Sequence, residues 1–492
     1  MASASTSSTR RSASSEKLTL SSFVVTESEI NKITQDLQDL ARFQRLNYTA
    51  FLKIIKKHDK HSGFPSLRPS FMNAQLKQQP FHKQRFDPLV GRLSTLYNIV
   101  RTGTAPAVSK ARSIDSSQDE EEEELQIRSK QSQQDGHGSV KANKTAFWVH
   151  PDSLMDLKML ILKYLPLVVY EPTPALNSSH RSTSQLISCL TSESPVSTIY
   201  LDNQDLDFYM GQVEHRDRTE TVRLRWYGSE RKQIWVEHQQ KDKVPSSASS
   251  SSGLVDAQQE QLDPIVTKHR FQIKSKNVPQ LLQGTAKIDK ILDQMRRSGQ
   301  KTEEEIEQFK QSTERIQSRI HQQGLQPVIQ TFFNRTAFQV PGDARVRITI
   351  DTDVVMVRER AVSKPASPPS ASATEEEGGD FLERPATWAP TRDLKAEEYP
   401  FLELGEDDSE QIVRFPYAIM QIRTLTDVPR RKSNNDEDDE EDEQIEASRQ
   451  AMSWVDRIAQ SHLVEMVPHF TKDQHAVATL YESRVGLLPF WV

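Results

Sequence analysis

Apolar residues along this chain follow two periods, each confined to its own stretches. Between 284 and 322, Ile288, Ile291, Leu292 and Met295 recur at three- and four-residue steps. Ile306, Phe309, Ile316 and Ile320 resume that step after Ser298-Gly299. Such spacing puts each set on one helix face, so the segment reads as an αα-hairpin whose stripes serve packing. Asn47 to Lys60 also reads as a helix. Phe51, Ile54, Ile55 and His58 form one stripe, and Lys53, Lys56, Lys57 and Lys60 form another. A further apolar helix begins near Pro151-Asp152, with Lys158 and Lys163 flanking it, and reads as packing alone.

Elsewhere the period is two. Val222 to Tyr227 alternates strictly, placing Arg223 and Arg225 on one face and apolar residues on the other. Residues 327–360 and 413–425 read as strands of the same kind, with Arg345 and Arg347, then Gln421 and Arg423, at the polar positions. In Trp235–Gln239, Glu237 and Gln239 share the face opposite Val236 and His238. An ordinary half-exposed sheet sends such charges to solvent. Repeated over several strands, they fit a closed or highly curved sheet with its charged face turned inward. A lumen lined by Arg and Lys is an anion site, and the guanidinium fork suits phosphate oxygens. The four lysines on one helix face repel one another unless an anion binds. Their patch is compact and lacks interleaved aromatics, which suits a small, highly charged phosphate ligand better than nucleic acid.

Composition divides the chain. Of 492 residues, 35% are apolar and 27% charged, a low apolar share that predicts ordered blocks joined by disordered ones. Lys+Arg number 63 against 69 Asp+Glu, a net charge of −6 that hides strong local separation. Residues 1–27 read as disordered. Residues 28–101 form a helical block, in which Arg42 to Arg101 holds twelve Lys/Arg against two Asp/Glu. Residues 102–142 are an acidic linker containing Asp119–Glu124. Residues 143–492 form the strand-rich domain, with disordered inserts near 242–262, 361–411 and 430–444; the last holds the acidic run Asp436–Glu443. The expected fold class is α+β. The single cysteine, Cys189, excludes an intramolecular disulfide framework. No apolar run is long enough to span a bilayer, and the Ser/Thr-rich start lacks the apolar core of a secretory signal. The chain therefore reads as soluble and intracellular. His58, His150, His462 and His475 have no partner at metal-site spacing and read as core or surface histidines.

The segment "RLNYTAFLKIIKKHDKHS" resembles the ligand-binding helix of the SPX domain. "PFHKQRFDPLVGRLSTLYNIVR" resembles the last SPX helices of vacuolar transporter chaperone (VTC) proteins. "FWVHPDSLMDLKMLILKYLPLVVY", "STIYLDNQDLDFYMGQ", "VRLRWYG", "TFFNRTAFQVPGDARVRITIDTDVVMVRE", "FPYAIMQIR" and "SHLVEMVPHFTKDQHAVATLYESRVGLLPFWV" then follow the VTC domain in order. That domain is similar to triphosphate tunnel metalloenzymes. The resemblance therefore implies an N-terminal helical, partial SPX domain followed by an antiparallel β-tunnel with packed helices. It implies ATP-dependent polyphosphate synthesis with Mn²⁺ or Mg²⁺. It assigns phosphate oxygens to Arg223, Arg225, Lys268, Arg335, Arg347 and Lys472, and inositol pyrophosphate to Lys53, Lys56, Lys57 and Lys60.

Departures from the family pattern change what is expected. Gln421 stands where the family has a metal-binding Glu, and Gln239 where it has a tunnel lysine. Ala146 takes the place of a basic residue, and Phe333 that of a tyrosine. An amide has no charge to offset a divalent cation. The expected function is therefore a regulatory, non-catalytic VTC-type subunit that senses inositol pyrophosphate and holds phosphate polyanions. An active polyphosphate polymerase and an interaction scaffold are the alternatives. Expected partners are other VTC subunits including a catalytic one, inositol pyrophosphate, and ATP or polyphosphate, with no nucleic acid. The SPX match starts only near residue 30, and the family's C-terminal membrane helices are not present. The expected location is the cytoplasmic face of the vacuolar membrane through partners, with the cytoplasm as the alternative.

Overall fold

The computed structural model describes residues 20–71, 86–102, 112–113, 139–168, 170–171, 193–228, 231–243, 265–284, 288–298, 302–341, 343, 345–359, 411–428 and 453–492. The acidic runs Asp119–Glu124 and Asp436–Glu443, Cys189 and the Ser-rich stretch Ser246–Ser252 lie outside them. Helix α1 runs Leu20–His61 and α2 runs Asp87–Thr102. Strand β1 (Ser139–Val149) leads into α3 (Leu154–Leu162), then β2 (Glu193–Asp202) and the short α4 (Asp207–Val213). The meander β3 (Arg218–Tyr227), β4 (Gln233–Asp242), β5 (Ile265–Lys274) follows. Next come α5 (Val278–Leu282), α6 (Ile288–Ser298) and α7 (Glu303–Gln323). The chain returns as β6 (Gln326–Phe338), β7 (Val346–Arg358), β8 (Ile412–Arg414), β9 (Ala418–Val428), β10 (Glu465–Met466) and α8 (Lys472–Leu480).

The strands form one ten-stranded antiparallel sheet in the order β10-β1-β9-β7-β6-β2-β3-β4-β5, with β8 added on β7. The fold class is α+β, as expected. The sheet, however, is open: among the described residues β5 and β10 are its edges, and no strand pairing closes it into a tunnel. It curls all the same, bringing Lys144 of β1 within electrostatic reach of Arg223 on β3 and Lys241 on β4, several strands away in the order. The expected single strand at 413–425 is two. Pro416, which has no backbone N–H to give a ladder, separates β8 on β7 from β9.

Helices cover the convex side in two groups. Under α5, α6 and α7 lie Val222, Leu224, Trp226, Val236 and Phe271, the apolar half of the alternation. The hairpin of α6 and α7 falls where the 3.6-residue period placed it. Helix α7 opens on a capping box between Thr302 and Glu305 and closes on Gly324 at φ 62°, in the left-handed region that glycine enters without steric cost. Over the other half of the sheet, Ile30 and Leu37 of α1, Val90 and Leu93 of α2, and Leu157 and Ile161 of α3 share one cluster with Phe147 and Ile348.

The N-terminal helices are thus packed on the sheet domain. Lys158 of α3 is 4% exposed, and its Nζ lies 2.9 Å from Asp87 and 3.5 Å from Glu193. Burial lowers its pKa, but those two carboxylates reverse that and hold it above the usual lysine value. The helix expected to serve packing alone therefore also carries a buried ionic joint between α2, α3 and β2. Arg45 of α1 adds a 2.7 Å contact with Asp152. Along α1, Ile55 is buried, whereas Phe51 and Ile54 are exposed (39% and 63%), so only part of the expected apolar stripe is covered.

Candidate functional site

The concave face of the curl collects the cations. On β3 the outward residues Val222 and Leu224 are fully buried, and this anchors the strand so that Arg223 and Arg225 turn inward. Arg223 stands opposite Glu237 of β4 and donates to it through Nε. Arg225 lies 3.7 Å from the same carboxylate and donates to Thr198 Oγ1 at 3.3 Å. Burial raises the pKa of Glu237, and Arg223, Arg225 and Lys268 outweigh that, holding it well below the carboxylate range.

A second knot forms where β6, β7 and α8 meet. Arg335 makes a two-pronged contact with Asp351 at 2.7 and 2.9 Å, and Lys472 Nζ donates to Asp351 at 2.5 Å. Asp351 is fully buried. Burial raises its pKa, but Arg335 and Lys472 pull it far down. Thr471, the N-cap of α8, accepts from Gln474 N–H and sets Lys472 on the first helical residue, facing the sheet. The ring of Phe333 faces both cations, 4.5 Å from Lys472 Nζ and 5.1 Å from the Arg335 guanidinium carbon, a cation–π arrangement. A register shift between Phe332 and Asn334 accompanies this knot, and Asp353 takes a φ of 56° in the facing strand.

The other predicted cations are placed as follows. Lys268 on β5 stands opposite Gln239. Arg347 on β7 lies four residues from Asp351, donates to Gln339 Oε1 at 3.0 Å and faces Arg423 across the ladder. Arg223, Arg225, Arg335 and Lys472 therefore gather at the two carboxylates, and Lys268 acts electrostatically on Glu237. Gln421 sits between Ala146 on β1 and Thr349 on β7. Glu237 and Asp351, considered above as carboxylates of this face, are each engaged by two cations.

Two inward cations escape the sequence reading. Arg270 on β5 stands opposite Glu237 and lies over the Trp235 ring at 5.0 Å. Lys144 on β1 stands opposite Arg423. The alternation that brings Ala146 inward also brings Lys144 inward, and that signal was in the sequence. Lys144 is exposed on the concave side. Desolvation first, then the charges of Lys472, Arg223, Arg335 and Lys241, push its pKa down to about 7.

Lys53, Lys56, Lys57 and Lys60 are all exposed on the last turns of α1. Asp59 among them is turned to the following loop, accepting from Ser66 Oγ at 2.7 Å and Leu67 N–H at 2.8 Å. These bonds hold it at about 2.

The VTC domain matches residues 141–481. The chain is 33% identical to vacuolar transporter chaperone complex subunit 4 of Schizosaccharomyces pombe over 95% of its own length and 52% of that protein. It is 29% identical to subunit 2 of the same organism, over 94% and 53%, and 28% identical to subunit 2 of Saccharomyces cerevisiae, also over 94% and 53%. It spans about half the length of these relatives. Among the described residues no helix is long and apolar enough to cross a membrane. With the VTC domain covering most of the chain, and the collinear segments read above falling largely within it, the chain belongs to the VTC domain family.

Proposed function

We propose that this chain is a regulatory subunit of a VTC-type complex, holding phosphate polyanions on the concave face without carrying out polymer synthesis. The observation that carries this reading is the pair of buried carboxylates, each gripped by two cations. A guanidinium or ammonium has more N–H donors than one carboxylate uses, so the spare donors of Arg335, Lys472, Arg223 and Arg225 stay available for phosphate oxygens. Glu237 and Asp351 fix their orientation. The binding face is thus assembled before the ligand arrives, which lowers the cost of ordering it.

The donor set does not fit a resident Mn²⁺ or Mg²⁺. Such ions need oxygen donors that carry charge. Gln421 offers an uncharged amide between Ala146 and Thr349, and Glu237 and Asp351 are committed to cations. Among the described residues no group of three or more His, Cys, Asp or Glu is placed to hold a metal ion. Catalysis would then come from a partner subunit of the complex. The lysine stripe on α1 serves as the sensor for inositol pyrophosphate, and attachment to the cytoplasmic face of the vacuolar membrane runs through partners.

The test uses the full chain. Tripolyphosphate is titrated by calorimetry, and polymer is assayed with ATP and Mn²⁺, for the unaltered protein and for Gln421→Glu with Gln239→Lys. Binding without polymer is expected. Metal-dependent polymer from the unaltered chain would establish the polymerase reading instead, and absence of tripolyphosphate binding would leave the scaffold reading.

A further inference from the structure

Position 146 carries no charge here, although it lies on the inward face of β1, opposite Gln421 and one strand step from the row of Trp148, Ile419 and Asp351. Lys144 lies on the same inward face, two residues away, roughly 7 Å along the strand. That gap matches the reach of a lysine stem. The side chain at 146 is only a methyl group, itself buried, so it adds little bulk beside the stem on that face. Exposure of Lys144 to the cleft and the electrostatic action of Lys472, Arg335 and Arg223 on its ammonium agree with a side chain leaning that way.

We propose that Lys144 is a phosphate-holding residue of the concave face, reaching over Ala146 to the Arg335–Lys472 knot. The inference rests on the phosphate-binding reading above and adds a ligand that the resemblance does not assign. The groups facing Lys144 explain why the position suits an anion. Arg423 stands beside it on β9, Arg347 beyond it on β7, Arg335 on β6, Arg223 and Lys241 across the curl, and Lys472 on α8. The facing carboxylates Asp351 and Glu237 are engaged with other cations. Desolvation, and then like charges so close, disfavour the ammonium form when no anion is bound. A condensed phosphate reverses that local field, so Lys144 takes up a proton as the ligand binds.

The experiment is calorimetry of the full chain with tripolyphosphate at pH 7.5, in two buffers of different ionisation enthalpy. The unaltered protein is expected to bind with net proton uptake. Lys144→Met is expected to bind roughly tenfold more weakly, the scale of one charged hydrogen bond, and to lose the uptake. Lys144→Arg is expected to keep the affinity without the uptake, and Ala146→Lys added to Lys144→Met to restore affinity. Unchanged affinity in Lys144→Met overturns the proposal while leaving the phosphate-binding reading in place. A loss in Lys144→Met that neither Lys144→Arg nor the added Ala146→Lys restores also overturns it, since the defect would then be structural. No binding by the unaltered chain overturns the reading on which it rests.

Discussion

The chain carries two basic surfaces built on opposite plans. On the concave sheet face, Arg223, Arg225, Arg335 and Lys472 are buried or half-buried and held in place by Glu237 and Asp351, whose own positions are set by the ladder. On α1, four lysines stand exposed on one helix, each on a long rotatable stem. Both attract phosphate, but the first spends stability on order in advance, and the second orders its side chains only when a ligand arrives. The lesson is that charge count says little about a binding surface. What distinguishes these two is whether the cations have internal partners and how far water screens them.

The sharpest way to break this contrast is to remove a partner. Asp351→Ala strands Arg335 and Lys472 in the interior and is expected to lower unfolding stability by about 3–5 kcal/mol, read from urea denaturation. A loss below about 1 kcal/mol would mean that the knot is solvated and the contrast is not real. Next in size is ligand binding. Arg223→Ala is expected to weaken tripolyphosphate roughly 10- to 100-fold in calorimetry, with a shallower salt dependence than any binding lost on changing the α1 lysines.

Acid gives a third handle. Glu237 and Asp351 have folded pKa values below their unfolded ones. The stability they contribute is therefore present above about pH 4 and disappears as pH falls through the lowered folded values. Thermal melts from about pH 4 down to about pH 2 should fall steeply, and less steeply in Asp351→Asn. The smallest effect belongs to α1. Changing Lys53, Lys56, Lys57 and Lys60 together to Gln is expected to shift stability by only about 0.5 kcal/mol, upward if at all, because it relieves repulsion among exposed charges. A large destabilisation there would show that the stripe is structural.

Local pattern made much of this visible in advance. The strict alternation of Val222–Tyr227 determined which way Arg223 and Arg225 face, and the apolar steps in 288–320 marked both helices of the hairpin. Features that depend on distant chain were hidden. Nothing near Lys158 announces Asp87 or Glu193, which meet it only after α2 docks and β2 enters the sheet. The grip of Arg335 and Lys472 on Asp351 depends on where α8 comes to rest. Whether the curl closes depends on how β5 and β1 approach, which no single strand encodes. Lys144 is legible by parity, since it shares the inward face of β1 with Ala146.

The cluster that seats α1 on the sheet joins Ile30 and Leu37 to Val455 and Ile458, residues from opposite ends of the sequence. On a ribosome adding roughly 5–20 residues per second, about 20–90 s separate the appearance of these two groups. Over that interval the buried stripe of α1 lacks the part of its cluster that Val455 and Ile458 supply. Helix α1 thus depends on residues made much later for part of the surface that buries it.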